Sequence, residues 1–312
     1  MTARAFFYGS GGRLRAPWQW IGFVAVLVAT MLVVLLVVGM VVGPLATSWQ
    51  QQVAGFWSLL VAAWFAHQVM LRWVDHRPWS FVGLGWSQAR PWQLGVGLLI
   101  GALAILLPSG VLLLTSWLSA LPAAGSGGGA TGVPGGDSWW SYAVVMILFF
   151  LPQSLGEEMM SRGYLFATAR EAMGWRWALV LTSVLFGLMH MANPGANTRS
   201  VVLVILAGVF LGGVLLATDS LYAAWMAHFA WNWSMAALLH TSVSGLPAAA
   251  PGYSVVDSGP DWATGGVWGP EGGVGAALGM MLGMWMLVSW RRRREATLAD
   301  DSGQSEIWRK NA

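Results

Sequence analysis

Long apolar runs separated by short polar connections dominate the chain. The runs are too continuous for a half-buried strand or for the apolar stripe of a surface helix. A membrane-spanning helix takes about 20 largely apolar residues. On that criterion the sequence predicts eight, at about 18–42, 53–73, 93–116, 139–169, 176–192, 200–217, 221–241 and 273–290. The expected fold class is an all-α polytopic integral membrane protein. The first run, Trp18 to Val42, exceeds the roughly 7–15 residues of a signal-peptide core and lacks a convincing cleavage site behind it, so it reads as a retained helix.

The connections differ in charge. Arg4, Arg13 and Arg15 precede the first run, Arg72, Arg77 and Arg90 flank the second connection, Arg170 and Arg176 bracket the fourth, and Arg291 to Arg294 follow the last helix. The alternate connections 43–52, 117–138 and 243–272 hold no lysine or arginine, and Arg199 alone falls on their side. Basic residues collect at the cytoplasmic face of a membrane protein. Both termini are therefore expected in the cytoplasm, with the chain in the plasma membrane.

The chain divides into three segments: helices one to three with an aromatic interfacial elbow at 73–92 (1–138), core helices four to seven (139–242), and an outer loop, last helix and cytoplasmic tail (243–312). The connections 117–138 and 243–272, rich in Gly, Ser, Pro and Ala, are expected to be flexible loops without chemistry. The abruptly polar stretch after Trp290 is expected to be a disordered tail.

Composition agrees and narrows the chemistry. The chain is 56% hydrophobic and 9% charged, against about 25% charged in an ordinary soluble domain. Without cysteine there is no thiolate nucleophile, thiolate metal site or disulfide framework. The net charge of +3 follows the topology and forms no stripe for nucleic acid, so the expected partners are the lipid bilayer and a membrane-associated protein or peptide.

Ionisable groups are costly inside a bilayer and mark function when they cluster. Glu157, Glu158 and Arg162 lie on the fourth predicted helix, His190 on the fifth, and His228 with Asn232 on the seventh. A lone His67 on the second reads as a packing residue. Helices four and five form a hairpin centred near Met173 and Gly174, with Glu157 and His190 each 16 residues from its turn. Equal rise places them at one depth. His228 and Asn232, four residues apart, share a helix face. Adjacent residues on a helix diverge by about 100°, so Glu157 and Glu158 do different jobs. Glu158 and Arg162 are spaced i, i+4 in the favourable order for an ion pair. Glu157 is left free to act as a general base on water. The depth of His228 below the turn at Asp219, roughly 13 Å, leads to the expectation of a pocket opening towards the cytoplasm.

These residues resemble the CAAX protease and bacteriocin-processing family, which includes the prenyl-protein endopeptidase. Its first motif, two glutamates, three residues and an arginine, stands here as Glu157, Glu158 and Arg162, followed by Gly163. The second, phenylalanine and histidine separated by three residues, is Phe186 and His190. The third, histidine and asparagine at the same separation, is His228 and Asn232. The resemblance covers about 139–242. It implies an eight-helix peptidase with a conical cavity towards the cytoplasmic leaflet. It further implies water activation by Glu157 and His190, oxyanion stabilisation by His228 and Asn232, and structural support from Arg162 and Phe186.

Two mechanisms stay open. Glu157, His190 and His228 can be ligands of one divalent ion such as zinc, with an open position for water. Alternatively, the glutamate works without metal, a reading supported by the poor ligand quality of Asn232 and the missing HExxH signature. The competing functions are a proton-coupled membrane transporter, which also uses intramembrane Glu, His and Arg, and a non-catalytic immunity or scaffold protein that keeps the fold alone.

Overall fold

The computed structural model describes residues 6–9, 12–45, 47–122, 138–248 and 251–310. Helix α1 (Ala16–Val42) opens with proline in its first turn, where a missing N–H leaves no carbonyl unpaired. Helix α2 (Ser48–Gln68) starts at a reciprocal Thr47–Gln50 capping box and runs into a π-helical turn, Val69–Val74. Helix α3 (Pro91–Leu114) follows the aromatic elbow. The fourth span is composite: α4 (Trp139–Glu158), a π-helical turn (Met159–Gly163) and α5 (Tyr164–Met173). Gly174, with φ of 83°, turns the chain directly into α6 (Trp175–Met189), which closes with the 3₁₀ turn His190–Ala192. Helix α7 (Thr198–Thr218) leads through Asp219 into α8 (Leu221–Trp233), capped by Ser220 and continued by a π-helical turn, Ser234–Leu238.

Among the described residues, seven helices are long and apolar enough to cross a membrane: Ala16–Val42, Trp49–Val74, Pro91–Leu114, Trp139–Met173, Trp175–Ala192, Thr198–Thr218 and Val274–Arg293. The eighth predicted run, 221–241, is present as α8 and its π turn but falls short on apolarity. The reason is its position. His228 and Asn232 lower its hydropathy, and they are buried along with Ala223, Ala224, Ala227 and Ala230, so the helix is wrapped by protein and owes little to lipid. By contrast α1 buries only Gln19, Phe23 and Leu27 and leaves a long apolar face exposed.

Small residues bring α8 into the bundle. Gly97 and Gly101 of α3 lie against the backbone of Ala223 and Ala227, and a Cβ at either glycine would overlap those carbonyls. This is the close backbone approach that small residues permit in membranes. The pairing of 97 with 223 and 101 with 227 also shows that α3 and α8 run parallel. Along α4, Trp139 donates to the carbonyl of Ala237, Trp233 to that of Ala143, and Asn232 to Gln153, so α8 runs antiparallel to α4.

Two expectations are corrected. The 243–272 connection is packed, with its described residues forming strand β2 (Tyr253–Asp257), helix α9 (Asp261–Thr264) and 3₁₀ turns at Gly266–Trp268 and Pro270–Gly272. Strand β2 pairs antiparallel with β1 (Leu118–Pro122), from Leu118 with Asp257 to Pro122 with Tyr253. Trp268 is wholly buried, and His240 stacks on Tyr253 with ring centroids 3.7 Å apart. Glycines supplied sharp turns here while Trp, Tyr and Val supplied the core, and composition alone registered only the glycines. Residues 123–137 of the other connection lie outside the described residues. Past Trp290 the backbone continues as α10 (Val274–Lys310), because Ala, Glu, Leu, Arg and Gln favour helix once one has started.

Candidate active site

Glu157 and Glu158 occupy the last turn of α4, immediately before the π turn. That turn inserts one residue into the helical register and re-aims the side chains beyond it, a distortion frequent at functional sites. Pro152 sits within α4 without ending it. Glu158 is 0% exposed and Arg162 1%, so neither charge can be hydrated by bulk water and each needs a partner. Arg162 donates Nη1–H to Glu158 Oε1 at 3.0 Å, and its guanidinium lies 4.1 Å from the centre of the Phe186 ring. The ring face thus shares the cation with the carboxylate.

Phe186 has a second task. Its carbonyl accepts from Nδ1 of His190 at 2.7 Å, and its ring lies 4.6 Å from the imidazole. With Nδ1 carrying the proton, Nε2 of His190 is the free nitrogen, and it faces Glu157 Oε2 at 3.8 Å. His228 repeats the pattern with a carboxylate. Its Nδ1–H donates to Glu158 Oε1 at 2.9 Å, and its Nε2 also lies 3.8 Å from Glu157 Oε2. Glu158 Oε1 therefore joins Arg162 to His228, a second role that the i, i+4 spacing did not reveal.

Glu157 Oε2 is buried and finds no hydrogen-bond partner among the described residues. Its sister oxygen, Oε1, accepts from Gln153 Nε2. The carbonyl oxygen of the same Gln153 accepts from Asn232 Nδ2 at 3.0 Å. One amide thus ties Glu157 to Asn232. The motifs gave no hint of Gln153, although a lone amide one turn before Glu157, on the same face of an apolar helix, was a usable signal.

All four residues expected to be catalytic line one cavity of about 150 Å³. Phe56 and Leu59 of α2, with Phe150, Met160 and Met189, give it apolar walls. Asn193, Val243, Ser244 and Leu246 close it on the side away from the 173–175 hairpin. The cavity extends from Met160 and Glu157 past Gln153, His228 and Asn232 to the Val243–Leu246 turn. Val243, Ser244 and Leu246 were also missed, since they lie in a segment taken for a loose loop.

The donor types suit a divalent ion: two imidazole nitrogens and a carboxylate, with the second nitrogen of each ring held by a carbonyl or carboxylate. Their arrangement does not. Among the described residues no group of three His, Cys, Asp or Glu side chains is set to hold a metal, and the facing atoms of Glu157 and each histidine stand 3.8 Å apart. Ligands near 2.1 Å from one tetrahedral ion sit closer together.

Fold and site together define a polytopic membrane protein with a buried carboxylate–imidazole centre. Residues 139–234 match the model of the family described as type II CAAX prenyl endopeptidase, Rce1-like, and over that segment the chain carries a domain of this CAAX-protease type. No curated protein and no solved structure matches the chain. The matched segment contains Glu157, Glu158, Arg162, Phe186, His190, His228 and Asn232, and ends before the Val243–Leu246 wall.

Proposed function

We propose that the protein is an intramembrane endopeptidase that hydrolyses a peptide bond in a membrane-associated substrate of the CAAX type, with Glu157 as general base. The observation that carries this reading is the free, buried Oε2 of Glu157 facing Nε2 of both His190 and His228 at 3.8 Å. That distance is too long for a hydrogen bond and suits a water that donates one proton to Glu157 and the other to His190. The oxygen lone pair of such a water is left to attack a carbonyl carbon.

The proton balance closes on Glu157. As the water oxygen bonds to the carbonyl carbon, its proton passes to Glu157 Oε2 and the carbonyl becomes an oxyanion. Asn232 keeps one amide N–H beyond the one given to Gln153, and this N–H is the oxyanion donor. His228 gives its Nδ1–H to Glu158, so its Nε2 donates only in the imidazolium form, with Glu158 as counter-ion. Collapse of the tetrahedral intermediate breaks the carbon–nitrogen bond, and the proton on Glu157 passes to the leaving amine. A carboxyl product and an amine product leave, and Glu157 returns to its starting state.

The CAAX-type substrate rests on the family match, and the apolar walls around Glu157 are compatible with a lipid-associated chain. The direct test is purified protein in nanodiscs with a quenched fluorogenic farnesylated CAAX-type peptide. Cleavage by the parent and none by Glu157→Gln supports the reading. Equal cleavage by both proteins refutes it.

A further inference from the structure

The Val243–Leu246 turn walls the cavity, yet it lies beyond the segment that the family match covers. It is a tight reversal: Val243 and Leu246 bridge, while Ser244 (φ 49°) and Gly245 (φ 78°) both adopt left-handed backbone. A serine held there needs support from its surroundings. Asn193 Nδ2 donates to the Ser244 carbonyl at 3.0 Å, and Gly245 N–H donates to the Trp268 carbonyl at 3.1 Å. The remaining support comes from one carboxylate. Glu271 Oε1 accepts from both the N–H and the hydroxyl of Ser244, and its Oε2 accepts from the indole N–H of Trp231 at 2.9 Å.

Trp231 is buried and sits between the positions of His228 and Asn232 on α8. Glu271 itself lines a small void that shares His190, His228, Asn232 and Ser244 with the main cavity. We propose that Glu271 is a positioning residue: it fastens the Val243–Leu246 turn to α8 and so holds one wall of the Glu157 cavity in register with His228 and Asn232. The chemistry selects a carboxylate. Three donors converge on it, and an ionised carboxylate accepts from all three while presenting no donor of its own. An amide at 271 would turn an N–H towards one of its two partners and keep the other alone.

The consequence for turnover rests on the peptidase reading, whereas the structural half does not. Because the chain has no cysteine, Leu246→Cys places a single thiol on the cavity wall. Its rate of maleimide labelling in nanodiscs reports the wall without any substrate. In the Glu271→Ala background labelling is expected to be at least tenfold faster, and Glu271→Gln should lie between the two. Trp231→Phe, which keeps a ring but cuts one arm, should shift the rate in the same direction by less, and it serves if Glu271→Ala fails to fold. With the farnesylated CAAX-type peptide, Glu271→Ala should raise KM several-fold and change kcat less, whereas a purely structural role would lower the active fraction and leave KM alone. Unchanged labelling in monodisperse Glu271→Ala and Trp231→Phe proteins overturns the proposal. Failure of the parent to cleave the peptide counts against the peptidase reading, and the labelling rates still decide the role of Glu271.

Discussion

His67 Nε2 accepts the backbone N–H of Tyr164 at 3.0 Å, so a side chain of α2 stands where a helical carbonyl would normally stand. The π turn Met159–Gly163 leaves that N–H without a regular partner at the start of α5. The other ring nitrogen, Nδ1, carries the ring's proton and donates it to the Ala63 carbonyl at 2.7 Å, so both nitrogens are used. Gly163 makes room, since a Cβ there would run into the imidazole. His67 thus supports the distortion just beyond the two glutamates.

His67→Ala is expected to destabilise the protein because it strands a buried N–H, a loss of about 1–3 kcal/mol. Thermal unfolding in detergent should show a clear drop in midpoint. Gly163→Ala should act in the same direction by pushing the ring away. An unchanged midpoint in both variants would show that the π turn holds without His67.

How much of this was legible depends on which interactions are local. The apolar runs, the 174 hairpin and the Glu158–Arg162 spacing are short-range, and each appears where the pattern put it. The meeting of Glu157 with His190 could be counted along the two arms of one hairpin. Gln153 carried only a local signal, its one-turn spacing from Glu157, because its second partner, Asn232, lies far along the chain on another helix. The wall at Val243–Leu246 was hidden for a related reason: glycine-rich sequence looks the same whether it is loose or folded into tight turns around Trp268 and Glu271. His67 read as packing, and its contacts agree, but only the π turn explains what it packs for.

Arg162→Ala should lower the amount of folded protein together with activity. Glu158 is wholly buried and shares its Oε1 between Arg162 and His228, so removal of the guanidinium leaves an undercompensated charge beneath the site. Breaking a buried pair from one side costs about 3–5 kcal/mol. Expression level and heat stability measure this. A variant as abundant and stable as the parent, but inactive, would move Arg162 from support to substrate contact.

The charge distribution predicts that the 72–92 connection faces the cytoplasm and the 243–272 connection the outside. Trp86 and Val267 are exposed on these two segments and give convenient probes in a cysteine-free chain. In intact cells a membrane-impermeant maleimide should label Val267→Cys and spare Trp86→Cys, and inverted vesicles should reverse the pattern. Labelling of Trp86→Cys in intact cells would invert the topology, and with it the side from which the wall residues are approached.

Under the proposed mechanism, catalysis and scaffold separate at Glu157, Asn232 and the two histidines. Glu157→Gln keeps the shape and an acceptor for Gln153 while removing the base, so a stable, correctly inserted protein with background cleavage is expected. Asn232→Ala should be milder, since loss of one oxyanion donor typically lowers turnover by about 10²–10³ and leaves the base in place. Gln153→Ala should fall between them, because it frees both partners at once. The same panel decides on a metal. If an ion held by Glu157, His190 and His228 takes part, a strong chelator should silence the parent reversibly, and either histidine-to-alanine change should strip bound metal measured by mass spectrometry. If Glu157 and His190 activate water unaided, cleavage should survive exhaustive chelation while every substitution in the panel still reduces it. The 3.8 Å separations leave space for a water between Glu157 and each histidine, which favours the second outcome. Full activity in Glu157→Gln would end the peptidase assignment under either mechanism and return the proton-coupled transporter to first place.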